Sequence, residues 1–448
     1  MGRLFGTDGA RGVANSELTS ELAMNIGRAA AMVLTSETKR PKILIGKDTR
    51  LSSDMLEGAL CAGLCSVGAD AVLLGVVPTP AVAILVKKYG ADAGIMISAS
   101  HNPFEYNGIK IFSKEGFKLP DALEAEIEAI ILDNAKPYAQ AANDKLGRVL
   151  REENAAQDYI DHVVSAIETR LDGMKVALDC SNGSSSRTAE KLFTALGAEC
   201  HMLFDKPDGI NINADCGSTH TANLQKYVKE NKLDAGLAFD GDADRCLAVA
   251  ENGELIDGDF LIAICAADYK ERGRLKKDSV VGTVMTNLGF NRFCEKNDIS
   301  FVATKVGDRY VLEEMVKEGY NIGGEQSGHI IFLDHCTTGD GEMTGAQLLS
   351  IMKRKNEKLS ALSTLMERYP QVMVNVKLTN EGKSKFSSDD MIQTEIDKVS
   401  ITLEGRGRIL VRPSGTEPMV RVMLEGEDID EITGLCHEIS ELIAKRLG

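Results

Sequence analysis

Three aspartates alternate in Asp240-Gly241-Asp242-Ala243-Asp244-Arg245, directly after the apolar run Ala235-Gly236-Leu237-Ala238-Phe239. On extended backbone, residues i, i+2 and i+4 share a face; on a helix Asp242 would point away from the other two. Three carboxylates aimed at one point repel each other unless a cation lies among them. A hard divalent ion with oxygen ligands suits this set, and Mg²⁺ is the natural choice beside a phosphoryl group. An EF-hand register beginning at Asp240 fails, because Arg245 stands where that loop requires glycine.

A second chemical stretch is Ile97-Ser98-Ala99-Ser100-His101-Asn102-Pro103, which follows the apolar run Ala93-Gly94-Ile95-Met96-Ile97. Asn102-Pro103 offers a cap and a first helical residue, so the spacing predicts a strand end meeting a helix start. Backbone N–H groups at such a turn favour an anion. A serine there would carry a phosphoryl group, with His101 and Lys110 to neutralise it. The alternative is a serine-rich turn that only caps the next helix.

Three further loops fit phosphate or sugar. Phe5-Gly6-Thr7-Asp8-Gly9-Ala10-Arg11-Gly12 reads as a tight glycine loop from which Arg11 projects. Gly323-Gly324-Glu325-Gln326-Ser327-Gly328-His329 places a carboxylate and a hydroxyl at i and i+2, a pairing that suits sugar hydroxyls. Arg412-Pro413-Ser414-Gly415-Thr416-Glu417-Pro418 offers a guanidinium, two hydroxyls and a glycine amide in a compact nest, with Arg421 as a further charge. Each of these alone is equally a plain turn.

The elements around these loops repeat a pattern. Residues 42–46, 175–179 and 280–284 read as strands, each followed by a polar loop, a helix and a further strand. That spacing means βαβ units and parallel sheets, hence three similar α/β domains in series. Residues 121–154 read as a surface helix and linker, and residues 353–370 as a helix stopped by Pro370. Beyond it, alternating runs at 372–376, 407–411 and 420–424 and a closing helix at 428–447 give a smaller α+β domain.

A net charge of −16 argues against nucleic acid and anionic membrane surfaces as partners. Ten cysteines include no C-x-x-C pair, and the N-terminus has no apolar signal region. The most membrane-like run, 67–86, contains Asp70, Pro78 and Pro80 and reads as strand, turn and helix. A reducing, cytoplasmic setting is the default expectation. No Walker loop or Rossmann glycine fingerprint supports a nucleotide.

Taken in order, the loops at 5–12, 98–103, 240–245, 324–329 and 412–418 resemble those of the α-D-phosphohexomutase family, nearly end to end. The resemblance implies four domains around a central cleft. These are a phosphoserine-loop domain over 1–153, a metal-loop domain over 154–252, a sugar-loop domain over 253–367 and a phosphate-binding domain over 368–448. Ser100 would be the phosphorylated nucleophile and, with Asp240, Asp242 and Asp244, would hold Mg²⁺. His101, Lys110, Arg11 and Arg245 would assist transfer. Glu325, Ser327 and His329 would grip the sugar, and Arg412, Ser414, Gly415, Thr416 and Arg421 its phosphate.

The loop with Gln326 is similar to that of the bacterial members that turn over glucosamine phosphates, where relatives acting on mannose and glucose phosphates usually differ. The implied reaction interconverts glucosamine 6-phosphate and glucosamine 1-phosphate through glucosamine 1,6-bisphosphate, supplying amino-sugar nucleotides and cell-wall precursors. A glucose or mannose mutase, a sugar phosphatase and a non-catalytic relative are the alternatives, and a homodimer is left open. Two departures stand out: Ala243 replaces a glycine common in the family, and Thr221-Ala222-Asn223 stands where Pro-Glu is usual.

Overall fold

The five-residue runs Ala93–Ile97 and Ala235–Phe239 are buried along their whole length, as strands covered on both faces must be. They sit in a computed structural model that describes residues 3–6, 9–35, 40–414 and 417–448. The chain forms two units: Met1–Met285 with Ile299–Leu365, and Thr286–Asp298 with Met366–Gly448.

The first unit holds three mixed sheets that share one plan. In the first, Ala93–Ile97, Lys42–Lys47, Asp70–Val76 and Val149–Arg151 run parallel, and Tyr106–Ser113 lies antiparallel against Ala93–Ile97. In the second, Glu199–Leu203, Lys175–Asp179 and Ala235–Phe239 are parallel and Cys246–Ala250 is antiparallel. In the third, Ser300–Thr304, Ser279–Thr283 and Ile322–Gly324 are parallel and Ile330–Phe332 is antiparallel. Each sheet therefore contains one turn where its last parallel strand reverses. Those three turns carry Ser100, the three aspartates, and Glu325 with Ser327. Ends of parallel strands are where α/β folds bind ligands.

The structure departs from the sequence reading at several places. No helix follows Pro103. Two tight turns, closed by Asn102 N–H to the Ala99 carbonyl (3.1 Å) and Tyr106 N–H to the Pro103 carbonyl (3.2 Å), lead into the strand Tyr106–Ser113. The run Ile109-Lys110-Ile111-Phe112 finds more burial against Ala93–Ile97 than a helix start would give. Ser100 is therefore not at a helix N-terminus.

Arg11 lies in a strand, Gly9–Val13, opposite Gly108, and not on a projecting loop; Thr7 and Asp8 fall outside the described residues. The strand Val149–Arg151 extends the first sheet where a linker is expected. Residues 353–370 do not form one helix: Gly341–Lys355 ends at a left-handed Asn356, and the short helix Leu359–Leu362 follows. Leu255–Ile256 completes the second sheet, a few residues past position 252.

The second unit is an antiparallel sheet of Gln371–Lys377, Met419–Gly426 and Gly407–Pro413, with a core that includes Val420, Val422, Ile432 and Ile443. Leu288–Lys296, which chain order assigns to the third α/β domain, belongs here. The Leu288 N–H donates to Glu425, which also pairs with Arg408 at 2.6 Å.

Residues 337–341 prove to be a helix start. Asp340 caps Gly341–Lys355, accepting from the Met343 N–H at 2.9 Å and the Tyr159 hydroxyl at 2.8 Å. Burial pushes its carboxyl up to about 6, with its hydrogen bonds opposing. A folded value above the unfolded one means stability that is present below about pH 4 and lost as pH rises through about 6. Asparagine caps as well as aspartate and carries no charge. Asp340→Asn is therefore expected to be more stable than the parent at pH 8, by up to about 3 kcal/mol, and to lose that advantage at pH 4. Denaturant midpoints of both proteins at the two pH values check this; an advantage that does not change with pH contradicts it.

Candidate active site

The reversal turn of the second sheet brings Asp240, Asp242 and Asp244 together, with one carboxylate oxygen from each lying within 4.8 Å of the others, all buried. The loop backbone is tied at three points. Gly241 O accepts from Ser184 N–H (2.9 Å), Asp242 O from Thr79 N–H (2.9 Å) and Ala243 O from Gly341 N–H (3.0 Å). Ala243 has φ +54°, left-handed backbone that costs a residue with a side chain about 1 kcal/mol and a glycine nothing, which accounts for the glycine usual at this place.

The triad fits a hard divalent cation. Asp242 Oδ1 and Asp244 Oδ1 are buried and accept no hydrogen bond. Burial, then the charges of Asp244 and Asp242, push Asp240 far above the usual carboxylate range. Asp244 goes the other way: Lys110, His329 and Arg245 outweigh its burial and hold it down to about 2. Such a set of oxygens, with Asp242 Oδ1 accepting no hydrogen bond and Asp244 Oδ1 facing Arg245 Nε at 3.9 Å, suits Mg²⁺.

Ser100 meets this triad. Its hydroxyl donates to Asp240 Oδ2 at 2.6 Å and lies 3.4 Å from His101 Nδ1. Lys110 donates to Asp242 Oδ2 (2.6 Å) and Asp244 Oδ2 (3.1 Å), and the Arg245 N–H to Asp240 Oδ1 (3.2 Å). Burial, then Arg245 and Arg11, push His101 down to about 4, so its ring is neutral near pH 7. Ser98 is already engaged: its hydroxyl donates to Asp48 at 2.7 Å and accepts from the Ser100 N–H at 2.9 Å.

The sequence gives no sign of four residues that hold these groups. Arg50, with Asp48 as its ion partner at 2.8 Å, donates to the carbonyls of Ser100 (2.9 Å) and Asn102 (2.8 Å). Asn213, from the second sheet's domain, donates to the same two carbonyls at 2.9 and 3.0 Å. The Thr79 hydroxyl donates to Asp242 Oδ2 at 2.6 Å. Asp48, Arg50 and Asn213 lie in loops and Thr79 opens a helix, and the site groups they hold are remote in the chain, so no local pattern marks them.

In the third sheet, Glu325 Oε1 accepts from the Gly307 N–H at 3.1 Å, and burial raises its carboxyl above the ordinary range. Ser327 is exposed at the tip of the same turn. His329 is buried, its Nε2 accepting from the Gly339 N–H at 3.2 Å and facing Asp308 at 3.3 Å. In the second unit, Arg412 and Arg421 stand directly opposite on paired strands. Burial, then the charge of Arg421, lowers the pKa of Arg412. Two like charges across a ladder are unfavourable unless an anion joins them. Ser414 is buried and its hydroxyl accepts from the Glu417 N–H; Gly415 and Thr416 lie outside the described residues.

Among the described residues, no helix is long and apolar enough to cross a membrane. The chain matches the phosphoglucomutase/phosphomannomutase models for alpha/beta/alpha domain I over residues 2–138, domain II over 157–253, domain III over 257–369 and the C-terminal domain over 373–442. It is 57% identical over 446 residues to a phosphoglucosamine mutase of Clostridium acetobutylicum, with 100% of both chains covered. It is 55% identical over 448 residues to one of Clostridium botulinum, again with 100% of both covered. A solved phosphoglucomutase/phosphomannomutase family protein from Burkholderia thailandensis shares the fold with a TM-score of 0.84 at 26% identity, over 99% of this chain and 98% of that one. With all four domain models matched in order along the chain, and a buried serine and aspartate site in its first unit, the chain belongs to the phosphoglucomutase/phosphomannomutase family.

Proposed function

We propose that the chain is a phosphohexomutase that interconverts glucosamine 6-phosphate and glucosamine 1-phosphate through a phosphorylated Ser100, in the cytoplasm. The observation that carries this reading is the Ser100 hydroxyl, 2.6 Å from Asp240 in a buried aspartate triad with bare oxygens. The choice of glucosamine rests on the relatives that share more than half of their residues with this chain.

The free hydroxyl of the bound sugar attacks the phosphorus on Ser100. The new O–P bond forms as the seryl O–P bond breaks. The sugar's proton passes to the neutral His101 ring and on to the departing Ser100 oxygen, which lies 3.4 Å from Nδ1. Lys110, Arg245 and Arg11 offset charge on the transferring group. Mg²⁺ held by Asp240, Asp242, Asp244 and the seryl phosphate would add charge stabilisation at the phosphoryl oxygens. The product of this half is glucosamine 1,6-bisphosphate. It turns end for end, and its other phosphate returns to Ser100 by the reverse steps. Glu325 and Ser327 bond the ring hydroxyls, and Arg412, Ser414 and Arg421, with Gly415 and Thr416 next to them in the sequence, hold the phosphate that is not reacting. His329 sets the sugar loop from beneath through Gly339 and Asp308.

A coupled assay of isomer formation, with inorganic phosphate release measured in parallel, tests the reading on glucosamine, glucose and mannose phosphates. The expected result is the highest kcat/KM for glucosamine phosphates with little phosphate release. A preference for glucose or mannose overturns the substrate, and phosphate release without isomer overturns the mutase.

A further inference from the structure

Asp242 is bonded unevenly. Its Oδ2 accepts from the Lys110 ammonium and the Thr79 hydroxyl, both at 2.6 Å, whereas its Oδ1 is buried and accepts nothing. Thr79 also donates its backbone N–H to the Asp242 carbonyl at 2.9 Å. Two bonds from one residue to one residue set both the place of the backbone and the rotation of the carboxylate. Thr79 is suited to this. It opens the helix Thr79–Lys88 between Pro78 and Pro80, and it is fully buried. Its β-branched side chain has few rotamers, and its neighbours' rings restrict the backbone. Lys110, on a long flexible stem, imposes no comparable orientation.

Resting on the reading of Asp240, Asp242 and Asp244 as a cation site, we propose that Thr79 is a positioning residue for that site. Its hydroxyl occupies Asp242 Oδ2 and thereby turns the bare Oδ1 toward the cation. The residue comes from the domain that carries Ser100 and acts on the loop of the next domain, so it also joins the nucleophile's domain to the metal loop. It acts through Asp242 and needs no contact with sugar or phosphate. Partners of this kind, which orient a metal ligand, are typically worth 10- to 100-fold in metal affinity.

The test uses the full-length protein and Mn²⁺ as the probe, with free Mn²⁺ followed by paramagnetic resonance. Thr79→Val keeps the shape and removes the O–H. The dissociation constant for Mn²⁺ is expected to rise about tenfold in T79V, and the Mg²⁺ concentration for half-maximal mutase rate to rise with it. The rate at saturating Mg²⁺ is expected to recover, and T79S to restore both constants. Unchanged Mn²⁺ binding in T79V, or binding by T79S as weak as by T79V, overturns the proposal. Asp242→Asn separates the two levels. If D242N binds Mn²⁺ as the parent does, the cation-site reading itself falls; if D242N loses binding while T79V does not, only the role of Thr79 falls. Should T79V fail to fold, T79A against T79S makes the same comparison, and equal Mn²⁺ binding in the two overturns the proposal.

Discussion

Ser100→Ala is expected to abolish turnover, with kcat/KM falling by about 10⁴-fold or more, equivalent to about 5.5 kcal/mol of transition-state stabilisation. The protein as purified is expected to carry a phosphoryl group on Ser100 in at least part of its molecules, and the variant to carry none. The structure separates this serine from Ser98 by their bonds. Ser98 donates to the buried Asp48 and accepts from the Ser100 N–H, so its hydroxyl is committed to holding the turn and does not meet the aspartate triad. Ser100 faces Asp240 and His101, with the Arg245 backbone N–H bonded to Asp240 and Lys110 bonded to Asp242 and Asp244. An alanine leaves Asp240 without its hydroxyl donor but leaves the triad in place, so cation binding persists while group transfer stops. Intact-mass measurement and peptide mapping of both proteins, beside the mutase assay, decide the matter. Phosphate mapped to Ser98 alone, or mutase activity retained by S100A, contradicts the assignment.

What the chain makes legible is local. The aspartate spacing marks the site, but strand alternation does not gather the carboxylates: between 235–239 and 246–250 the chain turns, closed by the Ala243 N–H on the Asp240 carbonyl (3.0 Å) with Ala243 left-handed, and that turn brings the three together. Ser100 and the segment 412–418 stand out because their chemistry is written within seven residues. The backbone after Ser100 is not legible, since Asn-Pro signals a turn as well as a helix start. What decides it is pairing with Gly9–Val13, nearly a hundred residues away in the chain, together with Ala93–Ile97 on the other side. The residues that hold the site are further out of reach: Arg50 is 50 positions from Ser100, Asn213 is 113 from Ser100, and Thr79 is 163 from Asp242. Each reads locally as an ordinary loop or helix start. Residues 286–298 show the same limit: their helix lies within the third domain's run of elements, while the Leu288 N–H donates to Glu425, far along the chain.

Arg50→Lys is expected to be nearly as damaging as loss of the nucleophile, although it keeps the charge. Arg50 is fully buried, and all five of its N–H groups are used: Nε on Asp48, Nη1 on the Pro103 and Tyr106 carbonyls, and Nη2 on the Ser100 and Asn102 carbonyls. These carbonyls belong to the turn that holds Ser100 at φ +53°, left-handed backbone that costs a serine about 1 kcal/mol. The clamp maintains that conformation, because the fork reaches the turn from both ends while Asp48 holds the guanidinium from behind. A lysine ammonium has three donors on one nitrogen and cannot reach carbonyls on two sides of a plane. It would take one donor each from the Ser100, Asn102 and Pro103 carbonyls, which keep only Asn213 and the Tyr106 N–H, and loosen the Asp48 pair, whose loss costs about 3–5 kcal/mol when one buried partner is removed. Part of that cost is relieved by the turn moving outward, which takes Ser100 off Asp240. The expected outcome for R50K is therefore a lower unfolding midpoint for the Ser100 segment, read by hydrogen exchange over residues 98–106, and a phosphoserine content well below that of the parent. The neighbouring change Ser98→Ala, which removes one donor to Asp48 and spares the fork, is expected to have a much smaller effect on both. If R50K retained normal protection across the turn and normal phosphorylation of Ser100, the clamp would be dispensable. Asn213, the other residue bonded to the same two carbonyls, would then have to hold the turn alone.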